Sequence, residues 1–388
     1  MSHILFRAGT KILIIIVSFL LLSVQGCSPA EKPRGEELNN RDTHIRITAL
    51  GDFLMHMPVV NAAYEPERSG YNFRKMFSEV ENQLSGADFT LANLETRLAG
   101  PAKGYSGYPR FNSPSELAGD MKALGIDMVT TANNHSMDMG PDGIAATLDN
   151  LDRAGLLHTG TYRSGEESEK PFTVDIKGIR VGFLNYTQNT NGIPVPSESP
   201  FMVNLIERER IAKDINLLKK ETPDLIIACM HFGTEYQQKP NEFQKTLVKE
   251  LFQQGVDAVL GCHVHVVQPM ETQTITAGGK QKNCFVIYSL GNFISNQRWR
   301  HSDCGIILNL DIHKTAEGET AIEKASYIPV WVHTYRENNR LNFRVLPVDE
   351  AIKNYEAGKD SLLNKNDYQR LQQVKQDIAE VMGPPVEF

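Results

Sequence analysis

The stretch GCHVHVVQP places His263 and His265 one residue apart, directly after the apolar run DAVLG, in a chain with 11 histidines. In a continuing strand, residues i and i+2 share a face; if the strand ends at Gly261, the pair lies on a loop, where binding chemistry concentrates and neutral imidazole serves as a metal ligand. Side chains of the same kind recur in the same context. Asp52 follows IRITALG, Asn93 and Glu95 follow FTLA, Asn133, Asn134 and His135 follow MVTTA, and His231 follows DLIIACM. Each set stands at the carboxyl end of an expected strand, the edge where open α/β sheets bind ligands. Two carboxylates (Asp52, Glu95), one amide oxygen (Asn134) and three imidazoles (His231, His263, His265) are hard-to-borderline donors suited to one or two divalent ions, Mn, Zn or Fe. Two such ions about 3.5–4 Å apart, sharing a carboxylate, activate a water between them and stabilise the attacking and leaving oxygens of an in-line displacement. An imidazole just outside the donor set can protonate the leaving group.

The elements that must position these residues follow from periodicity. Short β-rich runs (IRITAL, FTLANL, MVTTA, VGFLNY) alternate with helical patterns near FRKMFSEVENQL, PSELAGDMKALG and GPDGIAATLDNLDRAG. A helix from Leu205 to Lys220, then DLIIACM, a helix near NEFQKTLVKELFQQG, DAVLG and CFVIYSL continue the alternation, and GIILNLDI, KASYIPVWVH and NFRVLPV read as antiparallel strands. Strands alternating with helices at this spacing predict an α/β fold of βαβ units, a sheet covered on both faces, with an antiparallel α+β edge. GYSGYPRFNS and NTNGIPVPSESP are Gly-, Pro- and Ser-rich stretches beside the motif edge, plausible walls of a substrate pocket.

The ordered set GD, NLE, ANNHxxDxG, HFG, GxHxHVVQ and SLGNF, spanning Ile45 to Asn296, resembles the capsule-synthesis protein CapA (poly-γ-glutamate capsule) family, a branch of the calcineurin-like metallophosphatases. The resemblance implies a metallophosphatase-like layered α/β sandwich with mixed β-sheets flanked by helices, with Asp52 and His265 on a first metal, Glu95 bridging, and Asn134, His231 and His263 on a second. His135 becomes the acid or charge-stabilising group, with Asp138 orienting it, and Asn93, Asn292 and Arg110 supporting the site or the substrate. One departure stands out: the Asp-x-His that opens the wider superfamily's motif has Leu54 in place of the histidine, with His56 as a neighbouring substitute.

Arg7 and Lys11 precede the uncharged stretch Ile12–Val24, and VQGCS follows, so residues 1–27 read as an export signal of lipoprotein type with Cys27 as the lipid acceptor. Residues 28–44 read as a flexible linker, 45–345 as the CapA-like domain and 346–388 as a helical C-terminal tail. The expected location is therefore the cell envelope, anchored to a bacterial membrane. The remaining cysteines, Cys229, Cys262, Cys284 and Cys304, read as buried strand residues in a compartment that permits a disulfide. A net charge of −7 argues against nucleic acid as a partner, because that affinity rests on neutralising phosphates with Lys and Arg. Three functions share these residues: a phosphoesterase-type hydrolase acting on an anionic envelope or capsule-related substrate, a non-hydrolytic polymer-binding component working with membrane synthase subunits, and an amide hydrolase of γ-glutamyl polymer.

Overall fold

A computed structural model describes residues 42–277 and 279–388, which belong to one compact unit; Cys27 and most of the linker lie outside the described residues. Six strands carry the site: β1 (Thr43–Phe53), β2 (Phe89–Asn93), β3 (Met128–Thr130), β4 (Leu225–His231), β5 (Ala258–Cys262) and β6 (Asn292–Ile294). They belong to two mixed sheets. In the first, β1, β2, β3 and Leu157–Thr159 run parallel, while Cys304–Lys314, Thr320–Glu337 and Arg340–Pro347 extend the β1 side antiparallel. In the second, Ile179–Thr187, β4, β5 and Lys280–Leu290 are parallel, flanked by antiparallel Thr173–Ile176 and Val267–Ala277. Two such sheets, rather than the single sheet that the alternation of strands and helices predicts, form the layered α/β sandwich that the resemblance implies.

Strand periodicity builds the layers. Ile45, Ile47, Leu91 and Met128 of the first sheet meet Ile227, Cys229, Leu260 and Ile287 of the second in one apolar cluster, so the two sheets face each other. Ala92 and Val129 point the opposite way, onto the helices Glu116–Ala123 and Gly140–Ala154. Ile226, Ala228 and Val259 likewise pack on Arg208–Lys220 and Glu242–Gln253. Burying both faces explains why these strands read as near-continuous apolar runs.

One expectation meets a different local structure. The helix near FRKMFSEVENQL is broken into the short turns Arg74–Met76 and Ser78–Val80 and the single helical turn Glu81–Leu84. Its apolar spacing is real, since Phe73, Met76, Phe77, Val80 and Leu84 are all buried, but the Phe77 ring packs against Phe53 and Phe293, and tertiary contact overrides local propensity. The last forty residues are helical and packed: Leu371, Val374, Ile378 and Met382 of Lys365–Met382 join the inter-sheet core. All four described cysteines are buried and free. Among the described residues no helix is long and apolar enough to cross a membrane.

Candidate metal centre

The parallel strands of both sheets end at one edge, and backbone crowding there is relieved by glycine. A Cβ on Gly51 would lie 1.9 Å from the Gly291 carbonyl oxygen, and one on Gly261 1.9 Å from that of Tyr288. Gly51 thus lets β1 close on β6, where the Asp52 N–H donates to Gly291 (3.0 Å), and sets the Asp52 carboxylate at the junction of the sheets. β5 ends at Cys262, so His263 and His265 stand on a loop rather than a strand. Both have left-handed backbones, φ 105° and 60°, which non-glycine residues adopt at a cost and retain where the surroundings impose it.

The side chains converge. Glu95, His231 and His263 form one group of potential metal donors, and Asp52, Glu95 and His265 another, with the donor atoms of each group within 4.8 Å of one another. Glu95 belongs to both. Its Oε1 lies 3.5 Å from His231 Nε2 and 3.9 Å from His265 Nε2, while His265 Nδ1 lies 3.3 Å from Asp52 Oδ2. Asn134 Oδ1 lies 2.9 Å from His231 Nε2, which brings the amide oxygen to the first group. All six residues are buried.

Surrounding amides fix the orientation of the donors. Asn93 accepts from the Thr130 hydroxyl (3.1 Å) and donates to Asp52 Oδ1 (2.7 Å), turning Oδ2 toward His265. Asn292 donates to Gln297 Oε1 (2.9 Å) and to the Ser302 carbonyl (2.7 Å), so its own oxygen is left to accept from His265 Nδ1 (3.1 Å). That bond leaves the Nε2 lone pair of His265 on the Glu95 side. His135 Nδ1 lies 2.7 Å from Asp138 Oδ2, which also accepts from the Phe111 N–H, and the imidazole packs edge-on to the Phe111 ring at 4.6 Å. Its Nε2 has a long 3.5 Å contact with Asn191.

The electrostatics fit a cation. Both oxygens of Glu95, Asp52 Oδ2 and His263 Nδ1 are buried without a hydrogen-bond partner among the described residues. Burial, followed by the nearby Asp52 charge, pushes the Glu95 carboxyl well above the usual range. Burial and the neighbouring imidazoles hold His231 well below its usual value and His263 at about 3. Neutral imidazoles with free lone pairs around an unsatisfied acid form a costly arrangement that a divalent ion resolves. Cys262 borders the cluster, but burial and the same carboxylates raise its thiol pKa and keep it protonated.

Three residues from the sequence reading stand apart from the donors. His56 belongs to neither group; its ring packs edge-on to Phe111 at 5.2 Å, its Nδ1 is 3.2 Å from the Leu54 carbonyl, and burial lowers its pKa to about 4. Leu54 is buried at 2% exposure and supplies no donor. Arg110 is exposed, next in sequence to Phe111. The structure also adds residues. Asn191, from the NTNG turn, accepts from Asn134 Nδ2 (3.2 Å), so that stretch does wall the site. Asn185 accepts from the Thr131 and Ala132 N–H groups (3.1 and 2.7 Å) and holds the loop that carries Asn134. Fully buried Arg97, near Asp138 and Glu95, is lowered to about 10 by desolvation and offsets part of the negative charge. A run of N, T and R letters gives no signal distinguishing these from ordinary loop residues.

A model of the bacterial capsule synthesis protein PGA_cap family matches residues 46–297, the segment that supplies every donor described above. The chain belongs to the PGA_cap family. Among curated relatives, the PGA biosynthesis protein CapA of Bacillus subtilis (strain 168) is 24% identical over 79% of this chain and 77% of its own length. The capsule biosynthesis protein CapA of Bacillus anthracis is 26% identical over 76% of this chain and 69% of its own. Among solved structures, the NAD nucleotidase NadN of Haemophilus influenzae aligns over 88% of this PGA_cap chain and 61% of its own, with a TM-score of 0.44 and 15% identity.

Proposed function

We propose that this CapA-like capsule protein is an exported, lipid-anchored, metal-dependent hydrolase of phosphoesterase type, acting on an anionic envelope or capsule-related substrate. The observation that carries the reading is Glu95: one buried carboxylate, without a hydrogen-bond partner among the described residues, shared between two converging donor groups. Asp52, Glu95 and His265 would hold one divalent ion and Glu95, Asn134, His231 and His263 a second. Bound there, such ions supply Lewis acidity, acidifying a coordinated water and neutralising the charge of an anionic ester. Mn, Zn and Fe suit the donor set.

The chain's own residues then have distinct tasks. His135, held through Nδ1 by Asp138, presents Nε2 for proton delivery to a leaving oxygen. Asn191 lies against the same nitrogen and against Asn134, where it can orient substrate. The strand-end loops exclude bulk water from donors that are almost wholly buried.

The test is metal analysis of the purified chain lacking residues 1–27, followed by a panel of phosphate mono- and diesters. Bound metal and turnover that disappears in Asn134→Ala and His263→Ala are expected; bound metal without turnover on any ester removes the hydrolase. The Cys27 anchor has its own check, since Cys27→Ser should move the full chain from the membrane fraction to the soluble one.

A second reading, a non-hydrolytic polymer-binding partner of membrane synthase subunits, is favoured by Leu54, which leaves the Asp52 group one imidazole short of the superfamily pattern. It predicts loss of capsule on deletion and unchanged capsule in a strain carrying His135→Ala.

A further inference from the structure

Two large aromatic side chains stay in solvent at the rim of the metal centre. Tyr236 is 41% and Trp299 52% exposed, and their rings meet at 5.3 Å with an interplanar angle of 77°. The Tyr236 ring lies 5.9 Å from that of His265.

The corner they form is built and held. Tyr236 has a left-handed backbone, φ 65°, and its N–H donates to the Val264 carbonyl (2.8 Å), between the two loop histidines. Its hydroxyl accepts from Gln297 Nε2 (3.1 Å), and Gln297 Oε1 accepts from Asn292, the partner of His265. One hydrogen-bond chain therefore runs from the exposed phenol to a metal donor. The Trp299 carbonyl accepts from the Ser302 N–H and hydroxyl, and the following segment is tied to the helix Lys365–Met382 by Arg300–Asp377 (2.7 Å) and Asp303–Arg370 (2.6 Å). Tyr and Trp are enriched where proteins contact ligands and partners, and aromatic side chains line ligand sites.

We propose that Tyr236 and Trp299 bind the pyranose ring of a glycosyl phosphate, whether free or part of a polymer, and present its phosphoester to the metal centre; this rests on the phosphoesterase reading above. Perpendicular rings offer one face and one edge, which suits a puckered ring with apolar C–H faces and hydroxyl edges. A flat nucleobase is better matched by two parallel faces. An acyclic γ-glutamyl chain has no ring to stack, and its carboxylates would meet the exposed carboxylate of Glu235, next in sequence to Tyr236. The same Glu235 can accept from a sugar hydroxyl.

Binding can be read without turnover. The chain has two tryptophans, and Trp331 is only 6% exposed, so ligand quenching of intrinsic fluorescence reports on Trp299. Zn-loaded protein would be titrated with a non-hydrolysable glucosyl methylphosphonate, an adenosine methylphosphonate and a γ-glutamyl pentapeptide. The glucosyl probe should quench saturably, with affinity about tenfold weaker in Tyr236→Asn, which removes the ring yet tolerates the left-handed backbone, and nearly unchanged in Tyr236→Phe. Absent quenching by the glucosyl probe, equal or tighter binding of either other probe, or unchanged affinity in Tyr236→Asn overturns the proposal. Should Tyr236→Asn melt early, Trp299→Leu followed by calorimetry replaces it, with the same two outcomes. A missing hydrolase activity would leave the glucosyl titration intact, so the two failures are told apart.

Discussion

Asn292 Oδ1 accepts from His265 Nδ1 at 3.1 Å, and the amide is locked in that sense because its nitrogen is committed to Gln297 and to the Ser302 carbonyl. The bond fixes both the ring orientation and the tautomer that offers Nε2 to the Glu95 side. Asn292→Leu, close in volume and unable to accept, should weaken metal binding at the Asp52 group by about 10–100-fold, measured by chelator competition. Unchanged affinity would mean that Asp52 alone orients the imidazole.

Glu95 should cost the metal-free protein stability. Its folded carboxyl is raised above the unfolded value, so no penalty exists below the ordinary glutamate range, and one grows as pH rises through that range toward the folded pKa. Glu95→Gln should therefore raise the melting temperature of chelator-treated protein at pH 7 while abolishing the rise that added metal gives the wild type. Differential scanning fluorimetry with and without EDTA reads both; a lower apo melting temperature in the variant would contradict the buried-charge account.

His263 acts at the other end of the pH scale. Its folded pKa is lowered to about 3, so the unfolded chain takes up a proton that the native site refuses as pH falls below the ordinary histidine value near 6.5. In the metal-free protein this group should contribute a loss of stability between pH 7 and pH 5 with a slope of up to ~1.4 kcal/mol per pH unit, added to the same-sign share of His231 and opposed by Glu95, and the difference between wild type and His263→Asn isolates it. Urea unfolding at the two pH values measures it.

The helix Lys365–Met382 reaches the site's rim through Arg370, whose guanidinium donates to both oxygens of Asp303 (2.6 and 3.0 Å), while Trp331 Nε1 donates to the same carboxylate (2.8 Å). Both partners are mostly buried, so Arg370→Ala leaves an uncompensated charge and should cost about 3 kcal/mol in urea denaturation. Substrate affinity should fall as well, because the loop between Asn292 and Asp303 carries Trp299.

Much of this was legible in the sequence. The apolar runs of β1 to β5 announced strands, and the chemistry at their carboxyl ends followed from parallel α/β geometry: Asp52, Glu95, Asn134, His231, His263 and His265 do assemble at one edge. What escaped depends on contacts between segments far apart in the chain. Asn191 and Tyr236 lie on loops whose letters carry no period, and each is defined by a partner elsewhere, Asn134 in one case and Val264 in the other. Nothing in the sequence sets Arg97 apart from other cations, and its complete burial is a product of the fold. The broken helix before Leu84 shows the converse, with the period right and the backbone set by the packing of Phe77 on Phe53 and Phe293.

β1 has one further mechanical consequence. The upstream segment enters the fold at Thr43, while Asp52 stands nine residues on, roughly 30 Å away along an extended strand. Between them, cross-strand pairs run from Thr43 opposite Lys314 to Leu50 opposite Ile307, and β2 holds the other side. A pull applied at Thr43 would thus be loaded in shear onto two ladders of backbone bonds before it could displace the Asp52 carboxylate, so force entering at that end leaves the chemistry in register.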